Sequence, residues 1–367
     1  MIETPVYPEH IEAKSINIKK WLAFFFICLS FICGSWFMHD GQFFLVMLVT
    51  CLAVFFTAIF ITILFRVSCS NSRGIYIQEV EFALARWLLQ RRKHVKLENI
   101  FLFGPLGCSQ KAHLTSLFGD EEYSRVAIKN INERGFYIPD VVAGAVGDRQ
   151  LAIINILIDC LLDEIDPEVC FLDLYWFGDE FTKNMFSEQL TKLGKIGVLG
   201  SSSCFTLSDF ESVIDHLSQR SDEQESTKSL VAGLLVPDAM LNTHGESAFL
   251  WVIGDKGGAV LHKPERQDTD LESPIDIAEA VLRNTDLLEA PVDVVSMSEK
   301  SSRNFQITQW PTLDHVVEPY WGDLGDISIF IAISLAALHA QQKSSATAWL
   351  AQDASGHDFL GVVKHNE

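Results

Sequence analysis

Two long apolar stretches open the chain. From Trp21 to Met38 nearly every residue is hydrophobic, and the run from Phe43 to Phe65 contains no charged side chain. A helix needs roughly 20 apolar residues to cross the hydrocarbon core of a bilayer, so the pattern predicts a membrane-spanning helical hairpin over 21–65 (spans 21–38 and 43–65) behind a tail of residues 1–20. The length of the runs and their close succession argue against a cleaved signal peptide. Residues 77–94 then read as an amphipathic helix that ends on the basic cluster Arg91-Arg92-Lys93-His94, where cations suit the helix dipole.

Beyond residue 94, short β-type runs alternate with helical periodicity. Strands are expected at Glu98–Phe103, Val169–Trp176, Ile196–Leu199, Leu230–Val236, Ala248–Ile253 and Ala259–His262. Helices are expected at Leu151–Leu162, Glu180–Leu193 and Leu207–Leu217. Ser273-Pro274-Ile275-Asp276 starts another helix, with serine as N-cap, proline in the first turn and an early acid. The alternation predicts an α/β domain over 71–367 whose helices cover a central sheet. Ile327–Ala340 is apolar on every side and too short to span a bilayer, which marks a helix buried in a large core.

Charge refines this picture. Lys14, Lys19 and Lys20 precede the first span, Arg66 and Arg73 follow the second, and the intervening His39-Asp40-Gly41-Gln42 has no lysine or arginine. The positive-inside rule then places both termini in the cytoplasm, as a multi-pass protein of the inner (cytoplasmic) membrane. The net charge of −20 resides beyond residue 70, because the first 70 residues are balanced. Such a surface repels phosphate backbones, so nucleic acid is not an expected partner. Eight scattered cysteines form no CxxC pair and no Cys/His ligand spacing, which points to a reducing compartment without a metal site or disulfide framework. No cofactor is expected.

The last 120 or so residues resemble the end of thiolase-fold proteins, particularly β-ketoacyl synthases. Gly245-Glu246-Ser247-Ala248-Phe249-Leu250-Trp251-Val252 is similar to the strand that opens the second half of a ketosynthase, "G-E-A-A-A-x-x-L". Val292-Asp293-Val294-Val295 is placed like the strand before its "H-G-T" loop. Trp321-Gly322-Asp323-Leu324-Gly325-Asp326-Ile327 resembles its "G-H-x-x-G-A-A-G" turn. A closing hairpin follows around Asp353-Ala354-Ser355-Gly356. The resemblance implies a thiolase-like layered α/β domain with halves at about 95–245 and 246–367.

The same resemblance exposes departures. A condensing enzyme of this kind uses a cysteine at a strand-to-helix junction and two histidines. Here Ser296-Met297-Ser298-Glu299 stands at the first histidine's place and Asp323 at the second's. A carboxylate would repel a developing enolate instead of stabilising it. Cys204, in Gly200-Ser201-Ser202-Ser203-Cys204-Phe205, lies roughly where the nucleophile belongs, and is the one catalytic candidate. No base or cation to activate it is evident, and a Ser-rich loop capping a helix at Thr206 or Ser208 explains the same residues.

Gly104-Pro105-Leu106-Gly107 and Gly144-Ala145-Val146-Gly147 read as tight turns, since neither carries a phosphate-loop lysine. His244 beside Glu246, and Asp173, Asp179 and Glu180 near Trp176, have structural readings as a strand opening and a helix start.

The missing histidines lean the reading away from an enzyme, toward a membrane-anchored, catalytically degenerate thiolase-fold adaptor or accessory factor with a protein partner and a homodimeric form. A loose likeness to lipase-adaptor and accessory proteins of type VI secretion suggests toxin delivery as its setting. Two alternatives stand beside it: an acyltransferase or condensing-type enzyme using Cys204, and a membrane-tethered ligand sensor.

Overall fold

The computed structural model describes residues 41–119, 136–141, 144–165, 171–194, 202–205, 209–223, 228–237, 244–267, 272–353 and 355–366, with residues 19 and 20 of the tail and 23, 25–27 and 30 of the first span. The chain divides into two compact units, Ile2–Leu88 and Leu89–Glu367.

In the first unit, the second apolar run and the predicted 77–94 helix join in one helix, α1 (Gly41–Arg91). No proline or capping sequence interrupts it, and Gly74 alone is not enough to break a helix. It is the one helix among the described residues long and apolar enough to cross a membrane. Its apolar side chains, such as Leu45, Phe56, Phe60 and Phe65, are exposed. Most of the first span and the turn at His39–Asp40 lie outside the described residues, so the hairpin itself is not established. The described residues of that span are helical, and Phe25 packs its ring 4.4 Å from that of Phe55.

The second unit is built on one continuous sheet. In chain order its elements are β1 (His94–Phe103), α2 (Gln110–Phe118), α3 (Val146–Glu164), β2 (Phe171–Phe177), α4 (Glu180–Gln189), β3 (Ser202–Phe205), α5 (Phe210–Glu223), β4 (Lys228–Leu235) and β5 (Ser247–Ile253). There follow β6 (Ala259–His262), β7 (Glu265–Arg266), α6 (Pro274–Thr285), β8 (Asp293–Ser296), α7 (Glu299–Phe305), β9 (His315–Val316), α8 (Ser328–Lys343), β10 (Thr347–Gln352) and β11 (Asp358–His365). The strands lie in the order β3-β2-β4-β5-β1-β6-β11-β10-β8-β9, with β7 paired to β11.

That order contains one pattern twice. In β3-β2-β4-β5-β1 the first three strands are parallel, and β5 runs against both β4 and β1. In β9-β8-β10-β11-β6 the same holds, with β11 running against β10 and β6. The halves join where β1 pairs antiparallel with β6.

Alternation along the strands sorts the side chains into layers. Leu174 and Trp176 of β2 pack with Ile154 and Leu157 of α3 and Phe186 of α4 on one side. Tyr175 and Phe177 face the other way, into a central core with Phe210 and Ile214 of α5 and the length of α8. A third cluster joins Val294 and Leu350 to Ile277 and Val281 of α6 and Phe305 of α7. The result is three helix-bearing layers in the second unit: a central one packed against both halves of the sheet, and an outer one on each half. Helix α8 realises the predicted apolar segment, buried from Ser328 to Ala340. Ser273 caps α6 as expected, accepting a hydrogen bond from the Ile275 backbone N–H at 3.3 Å with Pro274 in the first turn.

One expectation fails in detail. Residues 202–205, expected as a loop after a strand at 196–199, are themselves a strand at the edge of the sheet, paired in parallel with β2. Residues 195–201 lie outside the described set. The serines obscured this strand: β-propensity on an edge reflects pairing and packing more than side-chain type.

Candidate functional site

The parallel strands of both halves, β2, β3 and β4 on one side and β8 and β10 on the other, end at the same pole as the N-terminus of α8. The chain reaches that helix through the turn Trp321–Leu324 and a short 3-10 turn, Gly325–Ile327. Gly322 and Gly325 have positive φ, and Asp323 Oδ1 accepts a hydrogen bond from the Gly325 N–H at 2.9 Å. The Asp323 carbonyl accepts the Gly245 N–H at 3.1 Å. This approach requires glycine, because a Cβ on Gly245 would lie 2.0 Å from the Trp321 carbonyl oxygen.

Two clefts flank the start of α8. The larger, about 370 Å³, has apolar walls of Phe177, Phe205, Leu234, Leu235, Ile327 and Phe330, and its polar groups are Gln150, Asp179 and Asp326. Asp179 also caps α4, accepting the Thr182 N–H at 2.7 Å. The smaller, about 200 Å³, is bounded by Met297, Ser298, Glu318, Asp323, Ser328 and Asp353, among others. No histidine, cysteine, lysine or arginine of the described residues lines either cleft.

At the first histidine's place, Ser298 caps α7 by accepting the Ser301 N–H at 3.2 Å. Ser302 there donates to Ser296 Oγ at 2.5 Å, and Ser301 donates to the buried Asp358 carboxylate at 2.6 Å. At the second's place Asp323 closes the turn described above. Histidines exist nearby in the fold but serve packing. His113, in α2, is buried against Trp321, with Nε2 2.9 Å from the Gly107 carbonyl, and burial lowers its pKa to about 4. His315 and His339 both meet Asp293, at 3.3 and 2.9 Å, at the start of β8, the opposite pole from the clefts.

Cys204 does not line the cleft. Successive residues of a strand point to opposite faces, and on β3 it is Phe205 that faces the cleft and the central core, while Cys204 packs in the outer layer. There its thiol donates to Glu180 Oε2 at 3.1 Å, and Lys183 Nζ donates to Glu180 Oε1 at 2.5 Å. Partial burial, and then the Glu180 carboxylate, push the thiol up to about 11. The Lys183 hydrogen bond holds the Glu180 carboxyl below its usual range. A thiol so placed is a weak nucleophile at neutral pH. Residues 206–208, between β3 and the first turn of α5, lie outside the described residues.

The remaining sequence candidates resolve into structure. Gly104 and Gly107 close a tight turn through two backbone hydrogen bonds, and Ala145 is the N-cap of α3. Asp173 is buried. His244 pairs as a bridge with Asp323, while Glu246 turns away from it to a buried ion pair with Arg149. Among the described residues no group of three His, Cys, Asp or Glu side chains could hold a metal ion. Sequence reading missed Gln150 and the cleft role of Asp326, which was visible only as part of the Gly-Asp-Leu-Gly-Asp turn.

Comparison with protein families and with curated proteins finds no match. Solved structures do match. An ishigamide ketosynthase/chain length factor aligns over 75% of this chain and 100% of its own at 12% identity, with a TM-score of 0.50. An oxazolomycin ketosynthase domain of Streptomyces albus aligns over 75% and 96% at 11% identity, with a TM-score of 0.51. A ketosynthase from the bacillaene synthase of Bacillus amyloliquefaciens aligns over 76% and 77% at 10% identity, with a TM-score of 0.50. The fold of this chain is thiolase-like. These matches also correct the leaning away from an enzyme: the missing histidines leave the chain in a fold whose matched members are ketosynthases. They lend no support to the likeness with type VI secretion adaptors.

Proposed function

We propose that the chain is a membrane-tethered enzyme that transfers or hydrolyses acyl groups in the larger cleft, with Asp326 as general base. The observation that carries this reading is the cleft itself. Apolar walls and two carboxylates converge at the pole where the parallel strands of both halves end and α8 begins, the kind of place where open α/β sheets bind ligands. The apolar side chains of the walls suit an acyl chain. Asp326 is an exposed carboxylate in the 3-10 turn that leads into α8. It is suited to accept a proton from water or from an acceptor hydroxyl as either attacks the acyl carbonyl. This chemistry requires neither a thiolate nor the two histidines.

The matched ketosynthases support an acyl substrate class, and the apolar helix α1 supports attachment to a membrane; the lysine and arginine placement around the two apolar runs favours the inner membrane with both termini cytoplasmic. Edge strand β3, which among the described strands has a sheet neighbour on one side only, supports a homodimer formed by strand pairing. The test is turnover of neutral acyl thioesters by the full chain in mild detergent. Asp326→Asn should lower kcat by about 100-fold, the scale of general-base catalysis, while Cys204→Ser leaves it within about twofold. Equal activity of Asp326→Asn and wild type would refute the assignment.

A further inference from the structure

The larger cleft ends on an aromatic floor. Phe330, in the first turn of α8, is 1% exposed yet lines the cleft. Its ring packs on four others: Phe177 at 4.2 Å, Phe249 at 4.5 Å and almost parallel, Phe210 at 5.3 Å and Trp251 at 5.6 Å. These come from β2, β5 and α5, so what lies behind Phe330 is the aromatic interior of the central layer.

The rings behind it are fixed. Trp251 Nε1 donates to Ser334 Oγ at 2.8 Å, and Ser334 Oγ donates to the Phe330 carbonyl at 2.7 Å. Phe249 lies against Gly233, where a Cβ would come within 2.6 Å of its ring. Phe330 therefore belongs to both regions: one part of its ring closes the cleft and the rest plugs the core.

We infer that Phe330 is the specificity-determining residue that sets the length of acyl chain the cleft admits. The inference rests on the acyl-transfer reading above. A straight chain whose carbonyl sits by Asp326 runs along Phe177 and Leu234 until it meets the Phe330 ring. Each methylene that fits leaves water and gains roughly fourfold in binding. The first one that does not fit gains nothing, because close-packed aromatic interiors resist insertion.

The experiment measures kcat/KM of the full chain on N-acetylcysteamine thioesters, from acetyl to dodecanoyl. Wild type should improve by roughly fourfold per methylene and then break sharply. Phe330→Ala should move the break several carbons longer, and Phe330→Leu by fewer. Specificity for the shortest chains should change little in either variant, with KM for long chains falling and kcat holding. If wild type turns over the series and the break stays in place in folded Phe330→Leu, the inference is wrong while the acyl-transfer reading stands. If wild type turns over no thioester, that reading fails and takes this one with it. Should Phe330→Ala not fold, Phe330→Leu decides.

Discussion

Arg149 and Glu246, 97 positions apart in sequence, meet as a buried bidentate pair. Arg149 Nε donates to Oε1 at 2.6 Å and Nη2 donates to Oε2, while Oε2 also accepts the Ile138 N–H at 3.1 Å. Arg149 Nη1 finishes on the Val141 carbonyl at 3.1 Å. The pair ties the first turns of α3 to the opening of β5, beside Gln150 of the cleft. Removing one partner strands the other charge in the interior, which costs about 3–5 kcal/mol. Glu246→Ala should therefore lose that much unfolding free energy in denaturant titration. The double variant Arg149→Met/Glu246→Leu should recover most of it, since apolar replacement of both partners leaves no orphan charge.

Cys204 offers a second test, through its reactivity. With the thiol pushed up to about 11, only about one molecule in a thousand carries a thiolate at pH 8. Alkylation by iodoacetamide should be slow there and should accelerate tenfold per pH increase until the pH nears the thiol's own value. The Glu180 carboxylate contributes to the upward shift, so Glu180→Gln lowers the thiol's pKa and should speed labelling at fixed pH. Mass spectrometry resolves Cys204 from the exposed Cys108. Rapid labelling of wild-type Cys204 at pH 7 would show an activated thiol instead.

Legibility in the sequence followed the strength of local signals. The buried helix α8 was readable because thirteen consecutive positions, Ser328–Ala340, are buried in it, and no amphipathic pattern could mimic that. The turn before it was readable because Gly322 and Gly325 adopt positive φ, which favours glycine. Strand β3 was not readable, since Ser202–Phe205 gains its hydrogen bonds from β2, far off in sequence. That single misreading placed Cys204 on a helix-capping loop, when strand alternation turns it away from the cleft. The cleft itself was invisible for the same reason: Gln150, Asp179, Leu234 and Asp326 come from four separate segments, and only the sheet order brings them together.

His113 predicts a pH dependence of stability. Its imidazole is 1% exposed and burial lowers its pKa to about 4, against about 6.5 in the unfolded chain. As pH falls, the unfolded state binds this proton first, so the folded state loses stability. The contribution is complete above pH 6.5 and declines between pH 6.5 and 4, by up to about 3 kcal/mol. Carboxylates titrate over part of the same range, so the informative quantity is the difference between wild type and His113→Gln. That difference should shrink as pH falls from 7 to 4; a constant difference would mean that folding leaves the pKa of His113 unshifted.

The proposed membrane orientation rests on charge placement and helix length together. At 1.5 Å per residue α1 is about 76 Å long, against a hydrocarbon core of about 30 Å, so much of it must extend beyond the bilayer. The uncharged segment Phe43–Phe65 is the part able to sit within lipid, and from Leu45 onward most of its side chains are exposed. Arg66, Arg73 and Arg86 follow on the C-terminal side, while His39–Gln42 before it has no lysine or arginine. Basic residues are retained on the cytoplasmic side. A reporter active only outside the cytoplasm should therefore be silent when fused after Glu367 and active when inserted at Gly41. Replacing Arg66 and Arg73 with glutamine while adding lysines around Gly41 should weaken or reverse that pattern, because orientation responds to lysine and arginine bias and not to net charge. Strong activity of the unaltered Glu367 fusion would place residues 89–367 on the other side of the membrane and overturn the proposed orientation.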